Sequence, residues 1–263
     1  MADGTGMADG AGQNRARLDV PWARCAQARA LRELILVGLL GPAMDLYTRR
    51  RVVGRERLEG LEAPVLFVAN HSSHMDTPAI LRAMPRRWRR CTAVAAAADY
   101  FYRKRGIARA VSLVFNTVPM QRNGGGLEPS STAHLGNLMD ERWNLLVFAE
   151  GTRSRDGSVG RLRSGAAVLA AEHDLDIVPV YVSGTREAMP PGRRWMHRKP
   201  ERHLSSRHPV EVRFGAPIRP RPGEHRTEVM ERVRLFFAEA GATTTPGERV
   251  LTGEDRAAAG QPA

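Results

Sequence analysis

Short, densely apolar runs alternate along this chain with stretches in which apolar residues recur at three- and four-residue spacing. The run Pro64-Val65-Leu66-Phe67-Val68-Ala69 is β-branched and aromatic, is bounded by proline and Asn70, and is too short for a helix, so it predicts a buried strand. The same reading predicts strands near 64–69, 92–96, 117–120, 144–148, 176–182 and 209–214. Helical spacing predicts helices over 77–84, 103–114, 131–142, 164–173 and 225–240. The last is the clearest: Val229, Met230, Val233, Phe236, Phe237 and Ala240 form one apolar stripe among arginines and glutamates, a core-packing face. Strands alternating with helices predict an α/β fold, a single-domain sandwich around a mainly parallel mixed sheet.

The ends read differently from the middle. Residues 1–14 are glycine-rich, and Met1-Ala2-Asp3-Gly4 recurs as Met7-Ala8-Asp9-Gly10; this predicts a disordered leader and no structural repeat. Residues 243–263 lack an apolar face and predict a mobile tail, which leaves a domain over 49–242. Between leader and domain, residues 15–48 contain the uncharged run Leu34-Ile35-Leu36-Val37-Gly38-Leu39-Leu40-Gly41-Pro42-Ala43-Met44. It falls short of the about 20 apolar residues needed to span a bilayer, and it begins too late, without a small-residue cleavage site, for a secretory signal. Two readings stay open: an amphipathic helix lying in a membrane interface, or a helix capping the core.

Chemistry concentrates where predicted strands end. His71-Ser72-Ser73-His74-Met75-Asp76 follows the strand at 64–69, and Thr77-Pro78 carries a helix-start signal, with threonine in a favoured N-cap position. Positions five apart on a regular helix diverge by about 140°, whereas a strand-to-helix turn can bring His71 and Asp76 together. Asp76 would then fix the tautomer of His71, leave the other ring nitrogen free to take a proton from a hydroxyl, and stabilise the imidazolium that forms. The competing readings are a capping aspartate beside a backbone-bonded histidine, and a metal site formed by His71, His74 and Asp76. The chain offers neither a cysteine pair nor a helical His-Glu-x-x-His to complete such a site, so no metal is expected.

A second cluster, Phe148-Ala149-Glu150-Gly151-Thr152-Arg153-Ser154, follows the strand at 144–148. Glycine permits close backbone approach, Thr152 supplies a hydroxyl, and Arg153 offers a planar fork suited to phosphate. Open α/β sheets place ligands at this end of their strands. Taken alone, the cluster also fits a surface turn with a local ion pair.

In order, the chain carries Asn70-His71-Ser72-Ser73-His74-Met75-Asp76, then Val118-Pro119-Met120-Gln121-Arg122, then Phe148 to Ser154, then Ile177-Val178-Pro179-Val180. Over roughly residues 50–240 this resembles the phospholipid and glycerol acyltransferase family, whose type members are lysophosphatidic acid acyltransferases and whose first block is His-x-x-x-x-Asp. The resemblance implies the fold of glycerol-3-phosphate acyltransferases and no bound cofactor. It also implies direct attack of a glycerol-backbone hydroxyl on the thioester of acyl-CoA or acyl carrier protein. By position it makes His71 the base and Asp76 its orienter; Arg122 and Arg153 bind the acceptor phosphate, with Glu150, Gly151 and Thr152 completing the pocket. Two departures stand out. Ala149 replaces the usual proline, which would loosen the turn aiming Glu150, and Gln121 replaces a frequent acid before Arg122, which bears on how the acceptor is held.

A formal charge of +12 fits nucleic acid, an anionic membrane surface or a merely solvated basic face. The basic clusters are Arg49–Arg51, Arg86–Arg90 around Trp88, and Arg193–Lys199 around Trp195. Tryptophan among arginines suits a lipid interface, and it also suits single-stranded nucleic acid; no recognised nucleic-acid module is present, which makes such a partner unlikely. Cys25 and Cys91 read as reduced thiols of a cytoplasmic protein. Ser73 and Ser183 lack a Gly-x-Ser-x-Gly elbow, and Gly124-Gly125-Gly126 lacks the context of a dinucleotide site. The expected protein is a peripheral enzyme on the cytoplasmic face of the membrane, acylating a lysophospholipid, with 1-acylglycerol-3-phosphate leading and another glycerol-phosphate or glycolipid as alternatives. The rival of a different class is a non-catalytic basic protein binding nucleic acid or anionic lipid.

Overall fold

A computed structural model describes residues 21–97, 105–120, 122–123, 126–127, 129–199 and 206–243. The expected leader and nearly all of the expected tail lie outside the described residues.

Seven strands form the main sheet: β1 (Thr48–Val53), β2 (Leu66–Ala69), β3 (Thr92–Ala97), β4 (Thr117–Met120), β7 (Asn144–Phe148), β8 (Ile177–Ser183) and β9 (His208–Phe214). Two-residue strands β5 (Arg122–Asn123) and β6 (Gly126–Leu127) pair separately. The order across the sheet is β1-β9-β8-β2-β7-β3-β4. β8, β2, β7, β3 and β4 run parallel; β9 is antiparallel to β8, and β1 is parallel to β9. The mainly parallel α/β sandwich expected from the alternation is therefore the one observed, and the carboxyl ends of five strands share one edge.

Strand β2 shows why the sheet is buried on both sides. Leu66 and Val68 enter one core, with Leu145, Val147, Leu169, Val229, Val233 and Phe237. Phe67 and Ala69 enter the other, with Ile80, Leu81, Leu146, Val178, Val180 and Val212. Alternate residues of a strand point to opposite faces, so a run apolar at every position needs a helical layer on each. Helices α6 (Pro129–Asp140), α7 (Gly165–Glu172) and α9 (Arg226–Glu239) cover the first face. Helices α3 (Asp76–Ala83) and α4 (Arg86–Arg90) cover the second, α5 (Arg105–Phe115) leads into β4, and the one-turn helix α8 (Thr185–Ala188) follows β8.

Three readings need correction. β1 was not expected, because Arg49, Arg50 and Arg51 hide any alternation; all three are exposed on the sheet's edge, where charge blocks pairing with another chain. Trp88, expected to suit a lipid interface, is 3% exposed and packs edge-on against Phe67 at 5.8 Å between ring centres. Helix α3 begins at Asp76 with Met75 as its cap, so Thr77 does not hold the N-cap position.

The segment before the domain is helical: α1 (Ala26–Glu33), a π-helical turn over Leu34–Leu40, and α2 (Gly41–Tyr47). Its packing is that of the core-capping reading on one side only. Leu36 and Met44 are buried in the second core, whereas Leu31, Leu34, Val37, Leu39 and Leu46 are exposed. Charged clasps dock the segment. Glu33 pairs with Arg89 of α4, which holds the Glu33 carboxyl below its usual range, and Asp45 takes Arg82 of α3 through both carboxylate oxygens. Buried Arg32 donates to the carbonyls of Ala23, Ser112 and Leu113 at the end of α5; burial lowers its pKa to about 10. Among the described residues no helix is long and apolar enough to cross a membrane.

One backbone position sets how β8 leaves the sheet. Gly184 has φ +79°, and a Cβ there would lie 1.8 Å from the carbonyl oxygen of Pro209 in β9. Any side chain must therefore push two neighbouring strands apart. Gly184→Ala is expected to lower stability by about 2 kcal/mol or more, read as a fall in the denaturant midpoint at unchanged slope. A wild-type midpoint would show that this approach does not constrain the fold.

Candidate active site

The site grows from the end of β2. Asn70 continues the β2–β8 ladder with its side chain, donating to the carbonyl of Val182 at 2.9 Å and accepting from its amide at 2.8 Å. The chain is thus held to the sheet one residue past the strand before it turns at His71. The turn then closes on Asp76: its Oδ2 accepts from the amides of Ser72 at 2.6 Å and Ser73 at 2.8 Å. Ser73 also uses its hydroxyl, donating to the carbonyl of Met189 at 2.9 Å and accepting from the amide of Met75 at 3.2 Å. The residues between histidine and aspartate build the turn that joins them.

His71 Nδ1 lies 2.8 Å from Asp76 Oδ2. With a carboxylate there, the neutral imidazole carries its proton on Nδ1 and presents an unprotonated Nε2. That nitrogen has no hydrogen-bond partner among the described residues, and the His71 side chain keeps 18% exposure, while Asp76 is fully buried. Phe148 stacks on the imidazole at 4.0 Å between ring centres and 21° between planes, fixing its tilt from the side. The arrangement can serve chemically as a general base: oriented, partly open and backed by a buried carboxylate.

The third block is brought against the first because β7 pairs with β2. Ala149 donates its amide to Ala69 at 2.9 Å, extending that pairing beyond the strand, and its carbonyl accepts from the amide of Arg163 at 2.8 Å. The turn at Ala149 is consequently fastened on both sides. A proline there would lack the first of these bonds. Glu150 Oε1 accepts from the amide of His71 at 2.8 Å and Oε2 from the amide of Gly160 at 3.1 Å. Burial pushes the Glu150 carboxyl up, against the downward pull of those amides and of His71. Both of its oxygens face the protein's own backbone, so Glu150 locks the two blocks together.

Gly151 takes φ +73°, turning the chain so that Thr152 and Arg153 are exposed. The Ser154 amide returns to the His71 carbonyl at 2.8 Å, which keeps this loop beside the base. Arg153 makes no hydrogen bond or ion pair among the described residues, and its charge helps hold the neighbouring His74 below the usual histidine range, after the larger effect of lost hydration. Further along, the hydroxyl and amide of Ser158 and the hydroxyl of Ser154 hold the Asp156 carboxyl down at about 2 and knit the loop. Arg122 follows β4 on the same edge of the sheet, but its side chain lies outside the described residues.

Sequence reasoning missed one contributor. Thr185, fully buried in the turn after β8, donates its hydroxyl to Asp76 Oδ1. The signal was present as a strand ending in Ser183-Gly184-Thr185, beside the fourth block. A threonine at that distance in sequence carries no mark of its partner.

Known proteins resemble this chain in sequence and in fold. The matching region is 27% identical over 147 residues to a chloroplastic 1-acyl-sn-glycerol-3-phosphate acyltransferase of Arabidopsis thaliana, covering 54% of this chain and 38% of that protein. It is 25% identical over 156 residues to the mouse 1-acyl-sn-glycerol-3-phosphate acyltransferase alpha, covering 59% of this chain and 50% of the relative. The matches thus span half or less of these relatives' length. The fold is that of the 1-acyl-sn-glycerophosphate acyltransferase PlsC from Thermotoga maritima, with a TM-score of 0.56 and 22% identity over 89% of each chain. The Acyltransferase family model matches residues 49–183, from β1 through the end of β8, and the chain belongs to that family.

Proposed function

We propose that this protein transfers an acyl group from a thioester, acyl-CoA or acyl carrier protein, to the hydroxyl of a lysophospholipid, with 1-acylglycerol-3-phosphate the leading acceptor. The observation that carries the reading is the His71–Asp76 contact at 2.8 Å, which leaves Nε2 open. Nε2 takes the proton of the acceptor hydroxyl as its oxygen attacks the thioester carbonyl. The tetrahedral intermediate then collapses, the carbon–sulfur bond breaks, and the departing thiolate takes the proton back from the imidazolium. No covalent acyl-enzyme is needed. Asp76 stabilises the imidazolium during both steps. In this reading exposed Arg153, beside His74, binds the acceptor's phosphate, with Arg122 after β4 as its partner; the exposure of Arg153 and its lack of a hydrogen-bond partner among the described residues support it.

The acceptor and product are lipids, and the surface suits a membrane. Leu34 is 66% exposed and Leu39 67% on the docked helical segment, and Trp22, in the 3-10 turn Pro21–Arg24 just before it, is 47% exposed. Arg198 donates to the carbonyl of Leu46 at 3.2 Å, which sets the basic stretch around Trp195, itself 50% exposed, against the end of α2. Apolar side chains rimmed by arginine favour an anionic leaflet over bulk water, and the protein is peripheral in this reading.

Three outcomes test these assignments. His71→Ala is expected to lose roughly 100- to 10,000-fold in acyl transfer, measured by mass spectrometry of products across donor and acceptor panels. Full activity in that variant would refute the base, and salt-dependent binding by a wild-type protein that transfers to no acceptor would favour the non-catalytic basic protein. Arg153→Ala is expected to raise the acceptor KM roughly 10- to 100-fold with a smaller effect on kcat, because charged hydrogen bonds to phosphate contribute about 1.5–3 kcal/mol. Replacing Leu34 and Leu39 by glutamate is expected to cut binding to anionic vesicles at least about tenfold in a flotation assay; unchanged binding would remove this surface from the proposal.

A further inference from the structure

The carboxylate of Asp76 is unevenly supplied with donors. Oδ2 receives three: the ring of His71 and the amides of Ser72 and Ser73. Oδ1 receives one among the described residues, the hydroxyl of Thr185 at 2.5 Å. A carboxylate buried to 0% exposure needs both oxygens met, and an unmet Oδ1 would let the group rotate about its terminal torsion, which is soft. Rotation would take Oδ2 off the Nδ1 of His71. The hydroxyl on the opposite oxygen opposes it together with the two serine amides on Oδ2.

The setting of Thr185 is built for that contact. Gly184 at φ +79° lies against the carbonyl of Pro209, which fixes where the chain turns out of β8. Thr185 is itself fully buried, and its oxygen lies 3.4 Å from the Ser72 hydroxyl, so Ser72 can donate to Thr185 while Thr185 donates to Asp76. The next residue, Arg186, holds the other motif: its guanidinium donates to the carbonyls of Ser154 and Arg155 in the loop that carries Arg153. The turn after β8 therefore touches both halves of the site through consecutive side chains.

We propose that Thr185 is a positioning residue for the reaction, fixing the Asp76 carboxylate so that it orients His71. The proposal rests on the acyl-transfer reading of the His71–Asp76 pair for its kinetic consequence, and on geometry alone for its structural one. The valine isostere keeps the volume and removes the donor, whereas serine keeps the donor.

Thr185→Val is expected to lower kcat roughly tenfold or more, the scale found when an outer partner of a functional group is removed, with acceptor KM within about twofold. Thr185→Ser is expected to recover most of the rate. In protein carrying isotope-labelled histidine, the low-field proton of His71 Nδ1 is expected to broaden or shift in Thr185→Val and to persist in Thr185→Ser. A Thr185→Val protein with wild-type kcat, or with an unmoved His71 proton signal, overturns the proposal. So does equal loss in the valine and serine variants accompanied by a common fall in melting temperature, which would mark a merely structural role. If wild-type protein transfers acyl groups to no acceptor, the reading of the reaction fails, and the resonance comparison still decides what Thr185 does to His71.

Discussion

Everything in the site is referred to one buried charge. Asp76 carries its carboxylate at the amino end of α3 with no solvent contact, and four donors from two parts of the chain converge on it. Moving such a charge out of water is costly unless hydrogen bonds replace the lost hydration. The donors that replace it are the turn itself, through two serine amides, the imidazole, and a threonine brought in by β8. Burying the carboxylate thus enforces the geometry that orients the histidine.

That convergence is possible because the sheet puts the relevant strand ends side by side. β2 lies between β7 and β8, all three parallel, so the chain leaving each emerges on the same edge. Side-chain and backbone bonds carry the pairing past the strands: Asn70 binds Val182 on one side, and Ala149 binds Ala69 on the other. Glu150 then bridges the amides of His71 and Gly160. His71 is thus held from the sheet side, while Arg153 is exposed on the loop that Ser154 ties back to the His71 carbonyl.

The segment ahead of the domain is bound to this core and open to the outside at once. Leu36 and Met44 pack inward, the Glu33–Arg89 and Asp45–Arg82 pairs fasten it to α4 and α3, and Leu34, Leu39 and Trp22 are left to the surface. A single apolar run can be part buried and part exposed because a helix turns successive residues to different sides. The structure puts part of the run in the core and leaves the rest exposed.

The sequence alone determined the strands with apolar runs, the amphipathic α9, the His71–Asp76 turn and the approach of Glu150 to the same edge, since each is written in local periodicity or spacing. Local pattern could not disclose β1, whose three arginines carry no alternation and whose pairing with β9 spans most of the chain. Nor could it place Trp88, which local charge assigned to the surface and which packing against Phe67 assigns to the core. Glu150 looked like a ligand for the acceptor until its two oxygens were found on backbone amides. Only the tertiary structure brought Thr185 to Asp76 across 109 positions, because a hydrogen bond between distant residues follows from strand order, and strand order is a property of the assembled sheet.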